Sequence, residues 1–411
     1  MKKTVNRQVW LTKKLKEICE NFQKRKAPLG FTPYVEIGNV DVRSKKINFN
    51  NKGAVQGSFF APAEAVLISR VRPTRGAIVF LNRELAVSPA FTVIKTKKEI
   101  NPKLLFYFLA WNKDFFNYLG SRQKGTNYPS VRESDILDFE ISFPKNENEQ
   151  QKIVSILDTI QSAIEVQEKI MEKAKELKKS MMADLFKYGA PSFRKGRKLK
   201  KTEIGEIPEN WDVVRLGEKS DIVSSKRIFQ REYVKEGIPF YRTKEVVELA
   251  NNNFTTAEHF ISRKKFNEIK NKYGAPTKGD ILITAIGTIG ICWVVPDERE
   301  FYFKDGNLLW IKNLTDISPY YLKYLFEFFS KTISQFPTTG ATYRALTIDE
   351  LKTFQIPLPP LPEQREIAEI LQTIDQKIEI EKKKKELYEK LFKTMLNKIM
   401  NQEINVEKIK I

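Results

Sequence analysis

One stretch of this chain is written twice, and the duplication limits the fold more than any other feature. Glu149-Gln150-Gln151-Lys152-Ile153-Val154-Ser155-Ile156-Leu157-Asp158-Thr159-Ile160 returns 214 positions later as Glu363-Gln364-Arg365-Glu366-Ile367-Ala368-Glu369-Ile370-Leu371-Gln372-Thr373-Ile374. Extended to Glu165 and Glu379, 9 of 17 positions are identical. Upstream, Phe139-Glu140-Ile141-Ser142-Phe143-Pro144 lies on Phe354-Gln355-Ile356-Pro357-Leu358-Pro359, and Gly125 and Tyr128 fall on Gly340 and Tyr343, now at a spacing of 215. Near the front of each half, Pro33-Tyr34-Val35-Glu36 can be laid on Pro239-Phe240-Tyr241-Arg242, a weaker match. A repeat of this period makes the chain a tandem of two similar halves, and 411 residues suffice for two domains with separate cores.

Each half runs in the same order, a mixed region and then a long helix. Short β-rich runs bounded by Gly and Pro (65–69, 77–81, 280–284, 290–295) and aromatic-rich helical stretches (104–119, 320–336) predict α+β domains. In the first long helix Ile153, Ile156, Leu157, Ile160, Ile164, Met171, Ala174, Leu177, Met181 and Leu185 recur at three- and four-residue steps. In the second, Ile367, Ile370, Leu371, Ile374, Ile378, Leu387, Leu391, Met395 and Ile399 do so. Pro144 and Pro362 mark the helix starts, with Glu147, Glu149 and Glu363 near the positive end of the dipole. Some 38 residues make a rod of about 57 Å, longer than one compact core. Two rods with narrow apolar seams bury them against each other as a coiled-coil-like pair; homodimerisation is the other use of such seams. The stretch 188–201 carries six basic residues and no acid, which reads as a flexible linker or as a phosphate contact.

The balance of 71 Lys+Arg against 51 Asp+Glu, a formal charge of +20, favours a polyanionic partner, nucleic acid first. Only Cys19 and Cys292 are present. They exclude a disulfide framework and a four-cysteine zinc site, and are expected to be buried thiols. His259 is the only histidine, so HExxH and His-rich metal sites are absent; its context suits packing or surface better than general-base chemistry. No GxxxxGK[ST] loop occurs, Gly287-Thr288-Ile289-Gly290 lacks the GxGxxG pattern, and neither an amino-methyltransferase motif nor a nuclease cluster is seen. With no run of 18 apolar residues and no apolar leader, the chain reads as cytoplasmic, with no membrane partner.

The stretch Phe354-Gln355-Ile356-Pro357-Leu358-Pro359-Pro360-Leu361-Pro362-Glu363-Gln364 with the helix that follows, its copy at Ile141-Ser142-Phe143-Pro144 with Glu149-Gln150, and Ile204-Gly205-Glu206-Ile207-Pro208-Glu209-Asn210-Trp211 resemble the specificity subunit of type I restriction–modification enzymes. The resemblance spans essentially the whole chain. The first half begins differently, with Arg7-Gln8-Val9-Trp10-Leu11-Thr12-Lys13-Lys14-Leu15 in place of Ile-Gly-Glu-Ile-Pro. The resemblance implies a tandem pseudo-repeat of two α/β target-recognition domains, each followed by a long helix, the helices pairing antiparallel as a coiled-coil spacer. The expected bounds are 1–145 for the first domain, 146–188 for its helix, 189–203 for a basic linker, 204–358 for the second domain and 359–411 for the last helix. It further implies double-stranded DNA read as two half-sites, docking of two methyltransferase (M) subunits that methylate adenine N6, and restriction (R) subunits. S-adenosylmethionine, ATP and Mg belong on those partners; the chain itself carries no cofactor and no catalytic residue. Two other functions stay in view: a scaffold binding nucleic acid without sequence preference, and, less favoured, a self-contained nuclease or methyltransferase.

Side-chain chemistry picks the candidate reading residues, since Arg and Lys suit guanine and phosphate, Asn and Gln suit adenine, and Thr methyls suit thymine. In the first domain these are Arg70, Arg72 and Arg75 in one loop and Arg122, Gln123, Lys124, Thr126, Asn127 and Tyr128 in another. In the second they are Tyr241, Arg242, Thr243 and Lys244, and Thr338, Thr342, Tyr343 and Arg344, the last group pairing in the repeat with 125–128.

Overall fold

The computed structural model describes residues 9–253, 255–330, 345–406 and 409. These form two compact units, Met1–Glu168 with Lys384–Ile411, and Lys169–Lys383. The long helices, Glu147–Tyr188 and Leu361–Met400, have 42 and 40 residues, roughly 60 Å each at the α-helical rise. Each helix gives one half to either unit.

In the first unit Trp10–Lys14 pairs antiparallel with Glu140–Pro144, the strand that leads into the first long helix. Two three-stranded sheets follow: Tyr34–Val35, Leu85–Val87 and Phe59–Ala61 in one, and Ile78–Leu81, Ala65–Ser69 and Phe91–Lys95 in the other. All five residues of Ala65–Ser69 are buried, as expected of a central strand covered on both faces. The aromatic stretch expected as one helix over 104–119 is two, Pro102–Ala110 and Lys113–Arg122. The break comes at Asn112, whose side chain caps the second helix by accepting from the amides of Asp114 (2.8 Å) and Phe115 (3.1 Å).

The second unit repeats the plan. Asp212–Arg215 pairs with Gln355–Leu358, the strand before the second long helix. One four-stranded sheet runs Asp221–Val223, Leu308–Lys312, Ile281–Thr284, Cys292–Val294; the other runs Tyr233–Val234, His259–Ile261, Ile238–Tyr241, Tyr302–Phe303. Register fixes the alignment that sequence left open at the front of the halves. Leu15 N–H donates to Phe139 O and Leu216 N–H to Phe354 O, so Trp10 is the counterpart of Trp211. The weak match at 33–36 and 239–242 holds as well: Tyr34 and Val35 pair in parallel with Ala86 and Val87, as Phe240 and Tyr241 do with Tyr302 and Phe303.

The long helices meet antiparallel inside each unit. In the first, Ile153, Leu157, Ile160 and Ile164 share a core with Phe392, Leu396 and Ile399, and Lys385 pairs with Glu168 at 3.0 Å. In the second, Met182, Leu185 and Phe186 share a core with Ile367 and Leu371, and Lys178 pairs with Asp375 at 2.8 Å. The seam departs from the expected stripe, because Leu177, Leu387 and Leu391 are exposed. Phe392 takes the inward place, its ring 4.9 Å from that of Trp111 and 5.8 Å from that of Tyr107. The contact is helix against an aromatic domain helix as much as helix against helix, which moves the buried face one residue on.

The stretch expected as a flexible linker is built into the second unit. Pro191–Phe193 forms a 3₁₀ turn, Leu199–Thr202 pairs with Gly205–Pro208, Arg194 bonds Asp184, and Arg197 bonds Glu363. Two of its six basic side chains thus meet a half-buried and a buried carboxylate. Pro362 sits inside the first helical turn, Leu361 being its first residue, where a missing N–H leaves nothing unpaired. Cys292 is buried, but Cys19 is only half-buried, its thiol pushed up to about 11 by burial.

Candidate nucleic-acid interface

The Glu-Gln signature is structural. Gln364 donates to Pro359 O (2.8 Å) and Asp316 O (2.9 Å) and accepts from Ser318 N–H (2.8 Å). Gln150 repeats this with Pro144 O (2.8 Å), Glu99 O (2.9 Å) and Asn101 N–H (2.6 Å). In both copies one amide ties the strand end before the long helix to the start of the aromatic helix. Glu363, fully buried, accepts from Trp211 Nε1 (3.0 Å), Ala190 N–H (3.1 Å) and the Arg197 guanidinium.

Candidate reading residues come together in the first unit. Residues 69–75 and 121–131 lie side by side through a short ladder: Val71 bridges Ser130, Lys124 bridges Ser130, Arg72 N–H donates to Pro129 O (2.7 Å), and Val131 N–H donates to Arg70 O (2.9 Å). Arg72 has left-handed φ of 48°, its Nη2 donates to Asn127 O at 3.3 Å, and its guanidinium lies 4.9 Å from the centre of the Tyr128 ring. Tyr128 is 73% exposed; Thr126 and Asn127 are exposed at the tip, after Gly125 at φ 91°. Arg75 ends a 3₁₀ turn, Pro73–Arg75, and is exposed. Arg122, exposed, ends its helix with its guanidinium 5.2 Å from the Tyr118 ring centre. Arg70 is half-buried, its Nη2 donating to Pro89 O. Gln123 is half-buried with Oε1 unpaired. Among the described residues no acid lies within ion-pair distance of Arg70, Arg72, Arg75, Arg122 or Lys124. A cluster of cations without internal counterions, beside an exposed aromatic ring, suits a phosphate backbone with bases alongside.

Beneath this surface lies a buried lysine. Lys45 Nζ donates to Gly76 O at 2.6 Å and lies 5.7 Å from the ring centres of Trp111 and Phe116. Desolvation pushes its ammonium down to about 8. It holds the 73–76 turn from below.

In the second unit the chosen residues look different. Tyr241 is a core residue, its ring packed on Phe301 (5.0 Å) and Trp293 (6.1 Å); the ring cannot reach a base edge because it closes the sheet against the helix Thr243–Ala250. Arg242 Nη2 bonds Glu245 (3.2 Å) and Glu258, and Lys244 bonds Glu258. Those contacts raise both cations' affinity for their protons and lower that of Glu258. Thr243 Oγ1 is buried without a partner. Thr338, Thr342, Tyr343 and Arg344 lie outside the described residues.

The true counterpart of 69–76 is 284–290. Ile286 bridges Ala345 as Val71 bridges Ser130, Leu346 N–H donates to Ala285 O as Val131 does to Arg70 O, and Ala285 N–H donates to Asn307 O as Arg70 does to Ala90 O. Gly287 (φ 80°) stands where Arg72 does, and Gly290 (φ 90°) where Gly76 does. The 215 spacing that paired Tyr128 with Tyr343 leads to the same place, so the signal was in the sequence. Polarity concealed it, since 285–290 holds no charged side chain.

Among the described residues, no group of three or more His, Cys, Asp or Glu is placed to hold a metal, and no helix is long and apolar enough to cross a membrane. His259 stacks on Tyr233 at 4.8 Å.

A family model described as the type I restriction modification DNA specificity domain matches residues 8–176 and, a second time, 208–390. The chain belongs to this family. Similar proteins include the type I restriction enzyme MjaVIII specificity subunit of Methanocaldococcus jannaschii, 30% identical over 345 residues, 80% of this chain and 77% of that one. The MjaIX specificity subunit of the same organism is 27% identical over 362 residues, 85% and 79% of the two chains. The fold is shared with the type I restriction–modification S subunit of M. genitalium, at TM-score 0.60 and 15% identity over 96% of this chain and 97% of that one. A chain from a type I R-M system studied for complex assembly and conformational transition is alike at TM-score 0.59 and 22% identity, covering 95% and 97%. This specificity subunit therefore has a DNA-recognition role, and the sequence-independent scaffold finds no support.

Proposed function

We propose that each domain of this specificity subunit reads one half of a split duplex site and that the long helices set the spacing between the halves. The observation that carries the reading is the duplication itself: two domains of one plan whose corresponding loops carry unlike side chains, Arg72 against Gly287 and Arg70 against Ala285. One plan with two chemistries suits two different short sequences. The first half-site falls to Arg70, Arg72, Arg75 and residues 122–128.

The subunit carries no catalytic residue and no cofactor in this reading. Two M subunits supply methyl transfer from S-adenosylmethionine to adenine N6, R subunits supply ATP- and Mg-dependent restriction, and all work on DNA in the cytoplasm. A genome-wide map of N6-methyladenine, taken with this gene intact and deleted while the M gene is kept, tests it. Loss of one bipartite motif is expected; an unchanged map overturns the reading.

A further inference from the structure

Beside the uncharged loop 285–290 the second unit has a cleft of about 550 Å³ lined by Arg227, Phe229, Arg242, Ile286, Lys304 and Asn307, among others. The backbone positions have counterparts in the first unit. Lys304 N–H donates to Tyr241 O as Ser88 N–H does to Val35 O, and Asn307 O accepts from Ala285 as Ala90 O does from Arg70. The polar side chains have thus changed rims. The first domain has Arg70, Arg72 and Arg75 on one side and Ser88, Pro89 and Ala90 on the other. The second has Ala285, Ile286 and Gly287 on the first side and Lys304, Asp305 and Asn307 on the second.

We propose that the second domain reads its half-site from this opposite rim, with Asn307 contacting an adenine edge and Lys304 and Arg227 holding flanking phosphates. The inference rests on the half-site reading above and names its residues in the second domain. Asn307 is half-buried, its backbone is fixed by the sheet, and its side-chain amide has no hydrogen-bond partner among the described residues. A carboxamide presents one donor and one acceptor, the pair that adenine N7 and N6 accept and donate to in the major groove. Lys304 is exposed with no acid at ion-pair distance among the described residues. Arg227 holds Asp305 at 2.8 Å with its side chain 69% exposed, a contact weak enough in water for phosphate to displace. Phe229 is 50% exposed and gives the cleft an apolar wall for a thymine methyl. Arg242 is held by Glu245 and Glu258 and shapes the cleft instead of reading.

The test is the N6-methyladenine map of cells carrying the complete system with Asn307→Ala, Asn307→Asp or Lys304→Ala. Asn307→Ala is expected to relax one adenine of the second half-site by roughly 5- to 150-fold and to leave the first half unchanged. Asn307→Asp keeps the shape but offers only acceptors, so cytosine replaces adenine at that position. Lys304→Ala lowers methylation at all sites evenly, and in the purified complex it makes DNA affinity less steeply dependent on salt, the log–log slope falling by about one. Should Asn307→Ala abolish methylation outright, Asn307→Asp decides. A second half-site unchanged in Asn307→Asp, or a change in the first half, overturns the proposal while a bipartite wild-type motif keeps the half-site reading. A wild-type map without a bipartite motif overturns that reading instead.

Discussion

Glu363→Gln tests whether the family signature is a folding device. The carboxylate is fully buried and accepts from Arg197 (Nη2 3.0 Å), Trp211 Nε1 (3.0 Å) and Ala190 N–H (3.1 Å). An amide of the same shape keeps one acceptor and turns the other oxygen into a donor that faces donors. The Arg197 guanidinium, 10% exposed, is then left as a buried charge without its counterion. Stranding one member of a buried pair costs about 3–5 kcal/mol. In a domain of 150–250 residues each kcal/mol lowers Tm by about 2–4 °C, so a fall on the order of 10 °C is expected. The assay is thermal and urea unfolding of Glu363→Gln, Arg197→Met and the double variant. The double should recover part of the loss, because the stranded cation is gone, with a coupling of about 2 kcal/mol. A Tm within 2 °C of wild type, or no coupling, refutes the structural role. So does a changed methylation motif at unchanged stability.

Three further outcomes follow from the same geometry. Gln150→Leu leaves two carbonyls and the Asn101 amide without partners and should cost about 3 kcal/mol in urea unfolding, with the methylated motif intact at permissive temperature. Arg72→Gly relieves a left-handed backbone worth roughly 1 kcal/mol while removing a side chain proposed to read DNA; Tm should hold or rise as the first half-site relaxes, and a lowered Tm with an intact motif counts against it. Lys45→Met removes an ammonium whose folded value, about 8, lies below its ordinary 10.5. The wild type therefore carries the full penalty below pH 8 and loses it as pH rises from 8 to 10.5, a span worth about 3 kcal/mol. The stability of Lys45→Met relative to wild type should fall by about that amount across the window, and a pH-independent difference would contradict the burial.

The sequence by itself determined the plan. A 214-residue echo with helical periodicity could only be two similar domains and two long helices, because local pattern and chain order carry that information directly. It also pointed to residues 69–75 and 121–128, which the fold brings together. Charge along 188–201 does not say where its side chains go; only the tertiary structure decided that Arg197 meets a buried Glu363. Tyr241, a core residue in the structure, misled for a related reason. A polar side chain in a β-rich region suits a core sheet, an internal ion pair or a DNA contact equally well, and partners 14 to 60 residues away decide among them. Only the tertiary structure set Lys304 and Asn307 across a cleft from the uncharged loop 285–290. Backbone hydrogen bonds register the two domains position by position, whereas side-chain type, free to diverge, does not.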